Sequence, residues 1–426
     1  MVDPPPFFLT EQQFQDDDDI LVMFLVRMIM FQRVEKQRYP RMDWEEHLAL
    51  KDAVATFPRY YHMTVESFKK LVRILSPLIK GNEKQQACAG GPIPPEFVVA
   101  MGIRFLGGLA PKDAASEFGV SISAAHAKIK LFIEAVNSSF TIDVPRSTEE
   151  LERCAAQWNE KSGAFGVYHG CVGAIDGWLC CIYKPKKVDN TAHCFSGHYQ
   201  RCGVNVQAVV NANLCFIYFG VIGPGRTNDA RAFNRCVELR QWIDSLPDRY
   251  FIIGDNAYPL SDKVLIPFSG FMKFVPTNQT YNFYLSQLRI RVEMAFGLLT
   301  TKWQIFRRPI GVHLDYLTDI CGAAARLHNF VIDNEGRSYA RDLWSPTEFD
   351  VQPIDSNNQH GVSQYNKGYL NTLPTLASRG IIVDDTRRKF LLGEILSQQL
   401  ERPIDNLIRN QELDEQSITE EELDGL

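Results

Sequence analysis

Acidic residues that follow two apolar runs could together hold a cation. Asp176 follows the apolar residues 172–175, and Asp255 follows the apolar residues 251–253. One such aspartate would be unremarkable, because Asp often begins the turn after a strand. Two carboxylates at the ends of neighbouring buried strands would repel each other, and an unpaired buried charge is costly. The pair therefore predicts a metal ion between Asp176 and Asp255.

Glu293 is a third candidate, at the edge of the apolar stripe of a predicted helix over residues 284–306. Its carboxylate could reach inward to the sheet. It could instead form an exposed ion pair with Arg289 one helical turn earlier. Taken alone, the ion pair is the more common arrangement. The order of two strand-end aspartates followed by a helical glutamate favours the metal site.

Asp229 is a fourth candidate with two interpretations. It precedes a predicted helix over residues 230–243, so its side chain could cap that helix. It also lies at the exit of a predicted strand, where it could join the other carboxylates. The local sequence does not decide between a cap and a metal ligand.

Carboxylates from several separate elements suit the cleavage of a phosphodiester bond. In-line attack needs an activated water and a stabilised leaving oxygen, and two Mg²⁺ ions about 3.5–4 Å apart supply both. Oxygen ligands suit Mg²⁺ and Mn²⁺. We therefore expect a pair of Mg²⁺ or Mn²⁺ ions as the cofactor. The predicted catalytic residues are Asp176, Asp255 and Glu293, and the predicted metal ligands are Asp176, Asp229, Asp255 and Glu293.

Strands and helices must follow one another in an order that brings these carboxylates together. Apolar runs predict strands at residues 172–175, 179–183, 204–210, 215–221, 249–254 and 271–275. Helical spacing predicts helices at residues 230–243, 284–306, 317–332 and 386–400. This order predicts an α/β fold with a mixed sheet flanked by helices, as in RNase H-like folds.

The part of the chain before the strands is predicted to be helical. A short helix at residues 114–118, a glycine turn at 119–121 and a helix at 122–136 resemble a helix-turn-helix in sequence. An ordinary three-helix bundle has equal weight, because the expected exposed face is only modestly basic. That face contains Ser123, His126, Lys128, Lys130 and Glu134.

Four segments follow from these patterns. The predicted division is an acidic N-terminal segment with a helix at 1–56, a helical domain with the helix-turn-helix-like segment at 57–140, an RNase H-like nuclease domain at 141–335, and a linker, helix and acidic tail at 336–426.

The charge distribution is compatible with a DNA partner. The formal net charge is −6, but residues 1–19 account for −6 and residues 403–426 for −7. Residues 20–402 therefore carry +7, a mildly basic body between acidic ends. The acidic start lacks the basic region of a secretory signal, so the ten cysteines are interpreted as reduced thiols. The longest apolar run, residues 20–31, contains Arg27 and is too short to cross a bilayer.

Six motifs, in the same order along the chain, resemble the PIF/Harbinger superfamily of transposases and the nucleases derived from it. They are GAIDG at residues 173–177, NVQA at 205–208, GPGRTNDARAF at 223–233, GDNAYP at 254–259, RVEMAFG at 291–297 and LHNF at 327–330. The likeness covers about residues 60–335. Four residues depart from the family's usual pattern without removing a carboxylate: Trp178, Asn228, Asn256 and Ala257.

The resemblance implies an RNase H-like domain with a metal site of the DDE type. It assigns the family's two aspartates to Asp176 and Asp255 and its glutamate to Glu293, and it supports Asp229 as a further acid. It also implies DNA as substrate, joining of the freed 3′-hydroxyl to a target strand, and a Myb-like DNA-binding protein as partner. A homo-oligomer is compatible with it. We expect a location in the nucleus, alone or together with the cytoplasm, and no membrane partner.

Two other functions are alternatives to a nuclease, of which the first stays open and the second is disfavoured. A domesticated protein could keep the fold and bind DNA, or act as a scaffold, without cutting. An aspartic protease using Asp176 and Gly177 would need a second Asp-Thr/Ser-Gly motif, and the sequence has none.

Several further residues have weaker signals. The spacing of His193, Cys194, His198 and Cys202 does not match common zinc sites. The basic residues 184–187 are a nuclear import signal, a phosphate-contacting loop or solvated surface. His328 and Asn329 are expected to be buried polar groups with satisfied hydrogen bonds. Basic residues near Glu293 could bind the DNA backbone, namely Arg289, Arg291, Lys302, Arg307 and Arg308.

Overall fold

A computed structural model describes residues 41–81, 91–164, 166–185, 191–342 and 385–400 of the 426-residue chain. The predictions for the helix within residues 20–31, for the linker at 345–380 and for the acidic ends lie outside these residues. So do residues 186 and 187 of the basic run.

A mixed sheet carries the candidate residues. Its strands are β1 (Cys171–Cys181), β2 (Phe195–Ser196), β3 (Arg201–Val210), β4 (Phe216–Pro224), β5 (Phe251–Ile253) and β6 (Val264–Leu265). β1 pairs antiparallel with β3, and β3 forms the predicted hairpin with β4. On the other side of β1, β5 and then β6 run parallel to it. The order is therefore β4-β3-β1-β5-β6, with β2 against the start of β3.

Twelve α-helices are described in the ranges given above. They are α1 (Trp44–Ala53), α2 (Phe57–Tyr61), α3 (Val65–Ile79), α4 (Pro95–Leu106), α5 (Pro111–Glu117), α6 (Ile122–Ser139), α7 (Thr148–Asn159), α8 (Asp229–Arg235), α9 (Val237–Ser245), α10 (Pro276–Lys302), α11 (Leu314–Asp342) and α12 (Thr386–Ser397). Short 3₁₀ helices lie at Thr191–Cys194, Gly270–Phe274 and Gln304–Arg307. In this part of the chain, none of the helices has both the length and the apolar character of a membrane span.

Helices cover both faces of the sheet. On one face α10 packs with the N-terminal helices in a large apolar core that contains Phe132 of α6, Ala208 of β3 and Leu288 of α10. On the other face α7, α8 and α9 form a second core, which contains Ile175 of β1 and Trp242 of α9. This arrangement confirms the predicted mixed sheet flanked by helices.

The predicted short helix, turn and second helix of the N-terminal region are α5, a turn and α6. Gly119 in the turn has a φ of +62°, in the left-handed region that favours glycine. Lys128 was expected on an exposed face, but only 9% of it is exposed. It lies one turn before Phe132, on the side of α6 that packs against the neighbouring helices. A DNA-binding role for these helices stays a prediction, as does the domain division at residue 140.

The prediction that Asp176 ends a strand was wrong. β1 runs through Asp176 without a break, because β3 pairs with it continuously from Ala174 to Cys181. The two short strands expected at residues 172–175 and 179–183 are therefore one long strand with the acid in its middle.

Two further elements differ from expectation. Residues 271–275 were predicted as a strand, but Gly270–Phe274 is a 3₁₀ helix. Phe271 is 93% exposed there, so the apolar run has no packed face that would stabilise a strand. The helix expected over residues 230–243 is two helices, α8 and α9, which meet at Cys236.

Candidate active site

Asp176 and Asp255 lie side by side on neighbouring parallel segments. In the register of β1 and β5, Ala174 is opposite Ile253. Each aspartate follows two residues further along its own segment. Adjacent strands are about 4.8 Å apart, so the fold brings the two carboxylates together just beyond the end of β5. The charge of Asp255 accordingly acts on Asp176, whose pKa it raises.

The pKa values of the Asp176 and Asp255 carboxyl groups are both raised. Burial is the main reason that the pKa of Asp176 is raised to about 7, and the charge of Asp255 adds to it. The Gly177 N–H donates to Oδ1 of Asp176 over 2.8 Å, which lowers the pKa without compensating for burial. Burial also raises the pKa of Asp255, and the charge of Asp229 contributes. The site thus concentrates negative charge that its own groups neutralise only in part.

Asp229 contacts the sheet at Gly177, where a side chain is absent. Its Oδ1 accepts hydrogen bonds from Nδ2 of Asn205 at 3.0 Å and from Nε2 of Gln207 at 2.9 Å. Both donors belong to β3, and Gln207 is opposite Gly177 in the β1–β3 register. Two amide groups therefore fix the orientation of this carboxylate.

Asn228, rather than Asp229, caps helix α8. The Asn228 side chain accepts the backbone N–H of Arg231 over 3.0 Å, the usual N-cap hydrogen bond. The capping interpretation of Asp229 was therefore wrong. Asn228 has the capping role, and Asp229 is directed toward β1 and β3.

Gln207 links the carboxylate of Asp229 to the segment that carries Asp255. None of its surface is exposed. Its Oε1 accepts the hydroxyl of Tyr258 over 2.7 Å, while its Nε2 donates to Asp229 and to Oδ1 of Asn205. A buried amide bonded at both ends has one orientation, because reversing it would leave polar atoms unpaired.

Asp176 and Asp229 approach β1 from opposite faces. Asp176 is on the side of α10, where Nη1 of Arg289 lies 3.8 Å from its Oδ2. Asp229 approaches at the next residue, Gly177, and consecutive residues of a strand face opposite sides. The three acids are nevertheless coupled: besides burial, the charges of Asp255 and Asp229 raise the pKa of Asp176, and the charge of Asp229 raises the pKa of Asp255.

Glu293 forms an ion pair with Arg289, as in the alternative considered from the sequence. Nη1 of Arg289 lies 2.6 Å from Oε1 of Glu293, whose side chain is 48% exposed. The same nitrogen contacts Asp176, so one guanidinium bridges the two carboxylates. The charge of Glu293 also raises the pKa of Asp255. The charge of Glu293 therefore acts on the acidic cluster, although its carboxylate faces Arg289.

Trp178 fixes helix α10 against the strand that carries Asp176. Its ring contacts Phe296 at 5.7 Å and Phe306 at 5.2 Å between ring centroids. Phe296 follows Glu293 by three residues, so it holds the adjacent turn of α10. The large side chain of Trp178 thus has a packing role beside the acids.

The four acids offer suitable donor atoms for a divalent metal ion without forming a closed cage. Within the described ranges, no three His, Cys, Asp or Glu side chains are placed to hold one ion together. Asp229 is hydrogen-bonded on the far face of β1, and Glu293 faces Arg289. Carboxylate oxygens nevertheless suit Mg²⁺ and Mn²⁺. Burial, with the charge of Asp255, raises the pKa of Asp176, and a nearby cation would favour its ionised form. The donor types are compatible with the expected ions, and the role of these residues as ligands stays a prediction.

The basic residues near Glu293 have different surroundings. Lys302 is buried and donates to the carbonyl oxygen of His62 over 2.6 Å. It is therefore not at the surface, as its predicted contact with DNA requires. It precedes the buried Trp303, on the packed side at the end of α10. Arg307 and Arg308 are exposed.

His328 and Asn329 form hydrogen bonds, as predicted, but only His328 is buried and Asn329 is partly exposed. A ring nitrogen of His328 lies 2.9 Å from the carbonyl oxygen of Leu214. Asn329 donates to the carbonyl of Phe216 and accepts its N–H, each over 2.8 Å. Both residues hold the β3–β4 connection against α11.

Asn205, Gln207 and Tyr258 were noted in the sequence only as parts of matching motifs. The signal that could have identified their role is the alternation of two amides in the otherwise mostly apolar strand β3. Alternate residues of a strand share a face, so Asn205 and Gln207 had to point at a common polar partner.

Comparisons with known proteins agree with a nuclease-related fold. Residues 175–329, which include all four acids, match a family described as DDE superfamily endonuclease. A protein from Arabidopsis thaliana named Protein ALP1-like is 24% identical over 264 residues. That match covers 58% of this chain and 63% of the relative, so it spans less than two thirds of the relative's length. No solved structure matches.

Proposed function

We propose that this protein is a metal-dependent DNA endonuclease or transposase of the PIF/Harbinger type. The observation that carries the proposal is the placement of the Asp176 and Asp255 carboxyl groups on neighbouring segments, beside Asp229, in the segment similar to DDE endonucleases. Asp176, Asp255 and Glu293 are the proposed catalytic residues, and Asp229 is a further metal ligand.

The side chains of the site have separate roles in this proposal. A bound Mg²⁺ or Mn²⁺ ion would supply an activated water and stabilise the leaving oxygen of the cut strand. Asp176 and Asp255 attract the cation through their concentrated charge. Gln207 and Asn205 keep Oδ1 of Asp229 in one orientation through two hydrogen bonds. Arg289 neutralises part of the charge of Asp176 and Glu293 before a cation is bound.

The proposed partners follow from the same chemistry and from the resemblance. DNA is the proposed substrate, and the net charge of +7 in residues 20–402 is compatible with it. A Myb-like DNA-binding protein, a second copy of the chain and a location in the nucleus are proposed from the resemblance to PIF/Harbinger proteins. Joining of the 3′-hydroxyl to a target strand is proposed on the same ground.

Nicking of supercoiled plasmid DNA tests the endonuclease proposal. The full chain is incubated with Mg²⁺ or Mn²⁺, next to the variants Asp255→Asn and Asp315→Asn. Asp315 is 94% exposed, contacts His313 at 3.3 Å and is not one of the four acids of the proposed site, so its variant is the matched control. We expect the wild type and Asp315→Asn to nick the plasmid and Asp255→Asn to lose at least a hundredfold in rate, as for loss of a group that acts in the transition state.

Two results would contradict the proposal. Equal nicking by wild type and Asp255→Asn would show that the cleavage does not depend on this site. DNA binding without metal-dependent nicking by the wild type would support the other function considered, a protein that keeps the fold and binds DNA without cutting.

A further inference from the structure

A basic pocket lies next to the acidic cluster, on the side of helix α8. It has a volume of about 350 Å³ and is lined by His193, Pro224, Arg226, Thr227, Arg231 and Arg235. Three of its six lining residues are arginines, and no acid lines it. The pocket therefore has the charge and the donors to bind an anion.

The three guanidinium groups are placed to face a shared space. Arg231 and Arg235 are one turn apart on α8, so they project from the same side of the helix. Arg226 approaches from the loop before α8, where its N–H donates to the carbonyl of His193 over 2.9 Å. A Cβ at Gly223 would lie 3.0 Å from Nη1 of Arg235, so the glycine leaves space for that guanidinium.

These arginines are not neutralised by neighbouring carboxylates. Among the described residues, the ion pairs do not include Arg226, Arg231 or Arg235. All three are exposed to solvent at the pocket. Like charges gathered in one concave site repel each other unless an anion enters.

One side chain connects the pocket to the acidic cluster. Nδ2 of Asn205 donates to the carbonyl of Thr227, which lines the pocket, over 3.2 Å and to Oδ1 of Asp229 over 3.0 Å. Thr227 is two residues before Asp229, so the Cα atoms of the two residues are within about 8 Å of each other. An anion in the pocket would thus lie close to Asp229, on the α8 face of the sheet.

We propose that this pocket, formed by Arg226, Arg231, Arg235 and His193, binds a backbone phosphate of the DNA strand next to the bond that is cut. This proposal rests on the proposed endonuclease function, because that function identifies the bound molecule as the DNA strand that is cut. Guanidinium groups bind phosphate oxygens through paired hydrogen bonds, and three of them around one concave site suit a phosphodiester. The pocket fixes the position of the strand, while the carboxylates act on the neighbouring bond.

Binding of DNA without cleavage tests this subsite separately from the endonuclease. The affinity of the full chain for a short fluorescein-labelled DNA duplex is measured by anisotropy in EDTA over a range of salt concentrations. The double variant Arg231→Gln/Arg235→Gln is compared with Arg146→Gln/Arg153→Gln, which removes two exposed arginines from α7 and from the loop before it. The duplex is used with and without 5′-phosphates, and inorganic phosphate is added as a competitor.

We expect the pocket variant to bind the duplex at least tenfold more weakly than wild type. We also expect the slope of log affinity against log salt to become shallower by about 0.9 for each phosphate that the variant no longer neutralises. The control variant should keep affinity and slope, and the weakening in the pocket variant should be the same with and without 5′-phosphates.

Three results would overturn the subsite. The first is unchanged affinity and slope in the pocket variant. The second is an equal loss of affinity in the control variant. The third is a loss in the pocket variant that is seen only with 5′-phosphorylated DNA, or only as weaker competition by inorganic phosphate. The last would assign the pocket to a free or terminal phosphate. If the pocket variant loses affinity while wild type never nicks DNA, the subsite stands and the endonuclease function fails.

Discussion

A Cβ on Gly177 would lie 1.9 Å from Oδ1 of Asp229 and 2.8 Å from Nε2 of Gln207. The absence of a side chain at residue 177 is therefore what allows the Asp229 carboxylate to contact β1. Gly177 directly follows Asp176 on β1. This segment therefore carries the Asp176 carboxyl group on one face and leaves space for the Asp229 carboxylate on the other.

The change Gly177→Ala should displace Asp229 and disturb its hydrogen bond with Gln207. We expect at least a tenfold loss of nicking activity, because displacing a metal ligand by about 1 Å costs more than small changes in packing do. The matched control is Gly297→Ala on α10, where a Cβ would meet nothing within 4 Å. Alanine there should stabilise the helix by about 1 kcal/mol and leave activity unchanged. Equal activity in both variants would contradict the role of Gly177.

Asp176→Asn should stabilise the protein at alkaline pH when no metal is present. In the folded chain this carboxyl keeps its proton up to about pH 7, whereas its ordinary pKa is 3.8. The folded state binds more protons between these values, so its contribution to stability falls as pH rises from about 4 to about 7. Asparagine cannot ionise and avoids this loss.

The expected gain in the free energy of unfolding is about 2–4 kcal/mol at pH 8. The lower end is favoured, since the Asp176 side chain is 19% exposed and partly screened by solvent. Thermal unfolding in EDTA at pH 4 and pH 8 measures it, and the variant should gain only at pH 8. A gain that is the same at both pH values would show that ionisation of Asp176 is not its cause.

Arg289→Gln should increase the affinity of the acidic cluster for Mn²⁺. Arg289 places a positive charge 3.8 Å from Oδ2 of Asp176 and 2.6 Å from Oε1 of Glu293. A cation that enters must overcome this charge, so its removal should tighten binding by about threefold to tenfold at low salt. Calorimetric titration with Mn²⁺ measures the change, and Arg289→Lys keeps the charge as control. Weaker binding by Arg289→Gln than by Arg289→Lys would mean that the positive charge at residue 289 helps to build the metal site.

Tyr258→Phe should destabilise the fold through Gln207. The Tyr258 hydroxyl is the donor to Oε1 of the fully buried Gln207, and an unsatisfied buried acceptor costs about 1–3 kcal/mol. Tyr183→Phe removes a hydroxyl from a side chain that is 63% exposed and is the control. Urea unfolding of both variants measures the free energy of unfolding that is lost with each hydroxyl group. A Tyr258→Phe variant as stable as Tyr183→Phe would show that Gln207 finds another donor.

Much of the fold could be predicted from the sequence because its elements have strong local signals. The β3–β4 hairpin followed from two apolar runs around residues 211–213, and β5 and α10 followed from similarly clear patterns. The break expected at Asp176 was wrong because an acid and a glycine usually end a strand, whereas pairing with β3 continues β1 through them. Strand pairing is a tertiary effect that local residue types do not encode.

The candidate site could be predicted only as a set of residue types. Asp176, Asp255 and Glu293 were selected by position, but the direction of each side chain depends on partners far away in sequence. Arg289, one turn from Glu293, contacts Asp176 as well. The pocket around Arg226, Arg231 and Arg235 was missed because its arginines are separated by other residues along the chain and form a cluster only when α8 folds.

The binding of Mn²⁺ by the metal-free full chain, followed by electron paramagnetic resonance of the free ion, tests the central claim most directly. Wild type and Asp315→Asn should take up Mn²⁺ with equal affinity, and the double variant Asp176→Asn/Asp255→Asn should lose at least tenfold. No uptake by wild type, or equal uptake by the double variant, would contradict a metal site formed by these carboxylates.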